Sequence, residues 1–140
     1  MSIELIPLCI AEISLGEQIM VGNAGAGLRV IAEVDGGTLK GDRLNGTLRG
    51  KAGADWVTVN GIVGTVDVRL CFETDDGAVV FISYGGRIDF TNGPAGSAPI
   101  YVAPTFETGD ERYAWLNVIQ AVGKGDLVGT HLTYELYELR

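Results

Sequence analysis

The chain has 140 residues, of which 46% are hydrophobic and 20% are charged, and its 18 acidic and 10 basic side chains give a net charge of −8. This length suits one globular domain spanning residues 1–140, and the negative charge argues against nucleic acid or an anionic membrane surface as a partner. No basic residue precedes the first apolar stretch, and no apolar run approaches the roughly 20 residues that cross a bilayer, so we expect a cytoplasmic protein.

Glycine-containing turn signals recur along the chain, and alternating segments lie between them. The signals are Gly36-Gly37, Asn45-Gly46, Asn60-Gly61, Asp76-Gly77 and Asn92-Gly93, dipeptides that supply the positive φ angles of tight hairpin turns. The clearest alternation runs from Val66 to Thr74, where every second residue is apolar. The predicted strands are 3–13, 28–35, 38–44, 47–51, 55–59, 65–74, 78–89, 100–108, 112–122 and 127–139. The stretch 90–99 is predicted to be a loop, and no segment has a helical period.

Strands joined by local hairpins, without crossover helices, indicate an all-β fold. We predict an antiparallel up-and-down β-barrel of about eight main strands, because closing the sheet removes the exposed edges that so many strands would otherwise leave. A β-sandwich is the alternative.

Four stretches carry a resemblance to a known family. They are GLRVIAEVDGGTLKGDRLNGTLRGKAGADW, VDVRLCFETDDGAVV, FETGDERYAWLN and the closing YELYELR, which together span nearly the whole chain. The chain resembles the bacterial and fungal family named domain of unknown function 3237. The resemblance implies a small barrel similar to those of allene oxide cyclases and dirigent proteins, whose characterised members guide cyclisations or couplings in an apolar cavity. It implies no settled activity, because a fold does not fix a function.

The polar face of strand 65–74 is the first candidate site. Asp67, Arg69 and Glu73 have even spacing and therefore share one face of the strand. If this face lines the lumen, its charges form a functional site, because burying them costs several kcal/mol each unless they are paired. If the face is exposed, Asp67 and Arg69 make ordinary cross-strand pairs worth under about 1 kcal/mol. The sequence leaves both interpretations open.

Aromatic residues suggest walls for a planar or cyclic ligand. Asp55 and Trp56 follow a glycine-rich turn, and Tyr113, Trp115 and Asn117 would share one face of the predicted strand 112–122. Packing in the core is the alternative role for both tryptophans. Arg29 leads strand 28–35. The resemblance implies that seven of the candidates are motif residues of the family: Arg29, Asp55, Trp56, Asp67, Arg69, Trp115 and Asn117. Asp67, Arg69 and Asp55 are the catalytic candidates, and the ligand-binding candidates are Arg29, Trp56, Tyr113, Trp115 and Asn117.

These candidates suit acid–base chemistry on a small organic molecule that carries a carboxylate or carbonyl. A buried aspartate with a raised pKa would take a proton, while Arg69 or Arg29 would hold a carboxylate or enolate oxygen. This predicts a lyase, isomerase or cyclase that uses no cofactor and no metal, and the alternative is a barrel that binds a small ligand without catalysis. A homodimer is also expected, because Val79–Ile82 is apolar on both faces of its strand.

Overall fold

The computed structural model describes residues 1–93 and 96–140, and most of them belong to antiparallel strands. Within these residues the strands are β1 (Leu5–Asn23), β2 (Leu28–Lys40), β3 (Gly46–Leu48), β4 (Ala54–Asn60), β5 (Val63–Thr74), β6 (Val79–Asp89), β7 (Ser97–Val102), β8 (Thr105–Glu107), β9 (Ala121–Val128) and β10 (His131–Leu139). A 3₁₀ helix, Glu111–Val118, lies between β8 and β9.

Eight of these strands close into a ring. The order around the ring is β1, β2, β4, β5, β6, β7, β9 and β10, and β10 pairs with β1 to complete it. The short strand β3 joins β2 to β5, and β8 adds to β6. All the pairings are antiparallel, so the predicted all-β, antiparallel barrel of about eight main strands is confirmed.

Alternation along the strands fills the lumen with apolar side chains. On β5, Val66, Val68, Leu70 and Phe72 are each at most 3% exposed, whereas Asp67 and Arg69, which alternate with them, are exposed. On β6, Val80 and Ile82 are buried. The outward Val79 and Phe81 of that strand remain 43% and 36% exposed, so its apolar outer face has no cover within the chain.

Gly36 and Gly37, predicted to form a turn, lie inside β2. Neither glycine has a positive φ. A Cβ atom on Gly37 would stand 3.2 Å from the Phe72 ring, so this glycine serves a close approach to the core and does not reverse the chain. The predicted strands 28–35 and 38–44 are therefore one strand, which ends at Lys40. The turns at Gly61, Gly77 and Gly93 do have positive φ, as their sequence signals predict.

The prediction of a strand over 112–122 is wrong for most of its length. The Asp110 side chain accepts a hydrogen bond from the Arg112 amide at 2.9 Å, and this N-cap starts the 3₁₀ helix. Leu116, which is fully buried, packs from this helix into the hydrophobic core. The helix therefore covers one end of the barrel, together with the turns that follow β2 and β5.

The other end of the barrel carries the turns after β1, β4, β6 and β9. The connection from β6 to β7, at residues 90–96, agrees with the predicted loop 90–99 at its start, and Pro94 and Ala95 of that loop lie outside the described residues. The described part of the chain contains no helix that is long and apolar enough to span a membrane.

Candidate functional site

The Asp55 carboxylate points into the apolar lumen. Asp55, Val57 and Val59 alternate along β4 and line the same cavity, so Asp55 occupies an inward position of the strand. Its exposed fraction is 6%. Because burying an ionised carboxylate is costly, a side chain of this kind inside a barrel is a candidate functional group.

An interruption of the β4–β5 ladder holds this carboxylate in place. The register pairs Asp55 with Val68 and Thr58 with Thr65, and the two pairs expected between them are missing. The Asp67 amide donates instead to Asp55 Oδ1 at 3.1 Å. Arg29 Nη1 donates to the Trp56 carbonyl at 2.7 Å. Two side chains thus satisfy backbone groups at the interruption, and one of them is the candidate catalytic group.

Asp55 lines a cavity of about 210 Å³ at the end of the barrel opposite the 3₁₀ helix. Most of the lining is apolar, and the two polar side chains in it are Asp55 and Gln18. The lining residues are Leu15, Gln18, Val30, Ala32, Asp55, Val57, Val59, Ile88, Phe90, Leu127, Gly129 and Leu132. The cavity reaches Gly129 in the turn after β9, so a small molecule can enter from that end. An apolar cavity with a few convergent polar groups is the usual form of a small-molecule site.

The surroundings raise the pKa of Asp55 to about 6. The largest cause is burial, which disfavours the ionised form; the hydrogen bond from the Asp67 amide lowers the pKa, and the negative charge of Asp67 raises it. A carboxyl group with this pKa exchanges a proton near neutral pH, which is the property that a general acid or base requires.

Two tyrosines lie in the lumen beside Asp55. Tyr84 of β6 and Tyr134 of β10 are 6% and 2% exposed, and their hydroxyl oxygens are 3.2 Å apart. Burial is the largest cause that raises the pKa of both, and the nearby charge of Asp55 raises both further. Both phenols therefore stay protonated. Their mutual hydrogen bond uses one of the two hydroxyl protons.

Asp67 and Arg69 do not share this lumen. Both lie on the outer face of β5 and are exposed, which corresponds to the second interpretation of that face, the solvent side. Arg69 stacks on Trp56, with Cζ 4.6 Å from the ring centroid, and Trp56 is likewise on the outer face of β4. Asp67 and Arg69 therefore do not form a charged lumen, because the apolar residues that alternate with them on β5 face inward.

Tyr113, Trp115 and Asn117 do not share a face, because a 3₁₀ helix has about three residues per turn where a strand has two. The Tyr113 hydroxyl donates to Asp76 at 2.9 Å, and the Trp115 ring lies under Arg43 at 5.0 Å. Asn117 exchanges two hydrogen bonds with the Thr108 backbone. These side chains fasten the 3₁₀ helix to its neighbours at the covered end of the barrel. The structure does not bring them, or Arg29, to the cavity that Asp55 lines.

Tyr84 and Tyr134 are site residues that the sequence interpretation missed. The signal was present, since Tyr84 has the parity of Val80 and Ile82, and Tyr134 has the parity of Leu132 and Leu136. Recognising them required knowing that these faces line the lumen. Within residues 1–93 and 96–140, no group of three or more His, Cys, Asp or Glu residues is arranged to hold a metal ion.

These features define the class of the protein as a small antiparallel β-barrel with a carboxyl group in an apolar lumen. The family model described as protein of unknown function (DUF3237) matches residues 3–139. The chain belongs to this family, as its four sequence stretches indicated.

Individual relatives agree with this membership. UPF0311 protein RPA1785 of Rhodopseudomonas palustris is 32% identical over 122 residues, covering 78% of each chain. A solved β-barrel-like protein from Acinetobacter baumannii superposes with a TM-score of 0.90 at 29% identity, covering 100% of this chain and 98% of the other. One more distant relative is an enzyme by name, the hydroalkoxylation enzyme phnH of Penicillium herquei, which is 26% identical over 81% of this chain and 68% of its own.

Proposed function

We propose that the barrel is a cofactor-independent acid–base enzyme that binds a small molecule in its lumen and uses Asp55 to transfer a proton. The observation that carries the proposal is Asp55 itself, a carboxyl group 6% exposed at the wall of an otherwise apolar cavity. Accepting the Asp67 amide hydrogen bond does not require an ionisable group, because a neutral amide side chain could accept it at a lower cost of desolvation. The pKa of about 6 supports the same role.

The lining favours a neutral, largely apolar substrate. Among the residues that line the cavity none is a lysine or arginine, so a carboxylate in the substrate would lose its water without gaining a positive partner. It would also face the negative charge of Asp55. A hydroxyl or carbonyl oxygen can instead exchange hydrogen bonds with Asp55 or Gln18. Of the two ligand groups expected from the sequence, the structure therefore favours the carbonyl over the carboxylate for this cavity.

The name of the fungal relative suggests the reaction class. Hydroalkoxylation adds an O–H group across a C=C bond, and within one molecule it closes a ring. In such a step the Asp55 carboxylate takes the hydroxyl proton and the oxygen forms a C–O bond as the C=C π bond is lost. The protonated Asp55 then gives this proton to the other carbon and is regenerated as the carboxylate. The substrate and product have the same atoms and oxidation level, so the reaction needs no redox cofactor. It is an isomerisation of the cyclase type.

The paired tyrosines act on Asp55 in this proposal. Tyr84 and Tyr134 do not line the cavity that Asp55 lines, and they lie on the side of Asp55 towards the packed core. Both are buried phenols that stay protonated near Asp55. They are assigned a positioning role, which is to hold the carboxyl group in place.

The proposal is tested with a matched pair of variants and a defined probe. Asp55→Asn removes the proton acceptor in the lumen, and Asp67→Asn removes the same charge from the outer face. With 2-allylphenol as the probe, formation of the cyclic ether is followed by chromatography. We expect Asp55→Asn to lower the turnover rate by about a hundred-fold or more, the usual contribution of a general base, and Asp67→Asn to change it by less than about five-fold.

Two results would contradict the proposal. Full turnover by Asp55→Asn would show that Asp55 takes no part in the reaction. A large loss of turnover in Asp67→Asn would show that the reaction takes place on the outer face. Binding of the phenol in the lumen without turnover by the parent protein would favour the alternative function, a ligand-binding barrel. The apolar lining supports that alternative, and the buried carboxylate argues against it.

A further inference from the structure

A groove of about 330 Å³ runs over the outer face of the barrel, on the opposite side of the wall from Asp55. It lies between the loop that follows β3 and the outer faces of β4, β5 and β6. Its lining residues are Arg49, Ala52, Gly53, Trp56, Arg69, Leu70, Cys71 and Phe81. The lining combines two guanidinium groups with two aromatic rings, and neither the proposed lumen chemistry nor the fold requires this combination.

The Arg69 guanidinium lies on the Trp56 indole because its neighbours across the sheet are small. Arg69 pairs in register with Ala54 on one side and Ser83 on the other. These leave room for Cζ to approach to 4.6 Å from the ring centroid. A guanidinium stacked in this way keeps the N–H groups at its edge available for a bidentate partner. Within the described part of the chain no carboxylate lies within 4.0 Å of Arg69.

Arg49 supplies the second positive charge. Its backbone is fixed by a hydrogen bond from its amide to the Cys71 carbonyl at 2.8 Å. Its side chain is 56% exposed and lies 3.6 Å from Glu73. An exposed ion pair at this distance contributes under about 1 kcal/mol, so a second anion can compete for the guanidinium at little cost.

Phe81 completes the groove. It pairs in register with Cys71 on β5, and Arg49 lies beside Cys71 on the other side. The rings of Trp56 and Phe81 both line the groove, and its volume suits one small molecule. The charge of the groove is opposite to that of the protein as a whole, because both of its charged lining residues are basic and the chain has a net charge of −8.

We propose that this outer groove binds a small planar aromatic carboxylate, whose ring lies between Trp56 and Phe81 and whose carboxylate accepts hydrogen bonds from Arg69 and Arg49. A planar carboxylate matches the edge of a guanidinium with two parallel hydrogen bonds. The same ligand is disfavoured in the lumen, where its charge would find no positive partner. The protein therefore has two sites of opposite preference on the two sides of one wall.

The test uses 2-naphthoate as the probe and two-dimensional ¹H–¹⁵N spectra of the full chain. We expect saturable shifts of the Trp56 indole N–H and of the amides of Arg49, Cys71 and Phe81. Arg69→Met and Trp56→Leu should each weaken binding ten-fold or more. The neutral analogue 2-naphthamide should likewise bind at least ten-fold more weakly than the naphthoate.

The matched controls separate this site from the lumen and from general charge effects. Lys124→Met removes one exposed positive charge from β9 and should leave the affinity for 2-naphthoate within two-fold, as should Asp55→Asn. Equal binding of 2-naphthamide, unchanged affinity in Arg69→Met, or shifts confined to Asp55, Ile88 and Leu132 would overturn the proposal. A failure of this kind would not affect the proposed lumen chemistry, and a catalytically silent Asp55 would not affect this groove.

Discussion

The cavity around Asp55 and the outer groove around Arg69 lie on opposite sides of the wall to which β4 belongs, and they differ in charge and polarity. The lumen is apolar with one raised-pKa carboxyl group, and the groove is bounded by aromatic rings and guanidinium groups. Asp55 and Trp56 are adjacent in sequence, yet they face opposite sides of the barrel wall. The two-residue period of a strand, and not proximity along the chain, therefore decides which candidate residues can act together.

The largest expected effect is on the free energy of unfolding. Its dependence on pH should differ between variants of Asp55 in the lumen and of Asp67 on the outer face. The pKa of Asp55 is about 6 in the folded chain against an ordinary value of 3.8. The folded state therefore binds more protons between these values, and stability falls as the pH rises through about 6. Asp55→Asn removes this penalty, so we expect it to stabilise the fold by up to about 3 kcal/mol at pH 8 and to have little effect below pH 4.

Urea denaturation of the parent and Asp55→Asn between pH 3.5 and 8 measures this difference. Asp67→Asn is the control from the outer face. Its free energy of unfolding relative to the parent should not increase with pH in the way expected for Asp55→Asn. A destabilised Asp55→Asn at pH 8 would mean that the hydrogen bond with the Asp67 amide outweighs the cost of the buried charge.

The second prediction concerns the pH dependence of turnover. If the Asp55 carboxylate is the base, its ionised fraction sets the rate. With a pKa of about 6, the rate at pH 4 should be about a hundred-fold below its plateau above pH 7. The measurement is the initial rate with the allylphenol probe over this range. Asp67→Asn should show the same profile with its midpoint shifted slightly lower, because the Asp67 charge contributes to the raised pKa. A flat profile would argue against Asp55.

The third prediction compares a buried tyrosine with an exposed one. Tyr84→Phe leaves the Tyr134 hydroxyl in the lumen without its partner at 3.2 Å, and it should cost about 1–3 kcal/mol. Changing both tyrosines to phenylalanine should cost less than the sum of the single changes. Tyr101, which is 48% exposed on β7, is the control, and Tyr101→Phe should have almost no effect. Chemical denaturation at pH 6 gives all four values, and additivity would show that the hydroxyl pair is not coupled.

The fourth prediction concerns the outer face and the homodimer expected from the sequence. Val79, which is 43% exposed on the outer face of β6, is an apolar side chain that a second copy could cover. We expect a dimer at micromolar concentration, weakened at least ten-fold by Val79→Asp. Light scattering across a dilution series measures both, with Val63→Asp as a control at another exposed valine. A parent protein that is monomeric at micromolar concentration would contradict the predicted dimer.

Local pattern predicted much of the fold and little of the site. The turns at Gly61, Gly77 and Gly93 and the strand Val66–Thr74 were predictable because each depends on residues close in sequence. The 3₁₀ helix was not predicted, although Asp110 is a good N-cap residue, because Tyr113, Trp115 and Asn117 also fit the period of a strand. Asp55 was a candidate on grounds shared with Asp67, and sequence alone offered no means of ranking the two.

The sequence predicted antiparallel strands and, for strands such as Val66–Thr74, one apolar and one polar face. Only the tertiary structure decided which face is the lumen, because closure of the ring turns one face of every strand inward and requires the side chains there to fill a limited volume. The same closure brought Asp55, Tyr84 and Tyr134 together from β4, β6 and β10. Their proximity follows from strand pairings that no local pattern encodes.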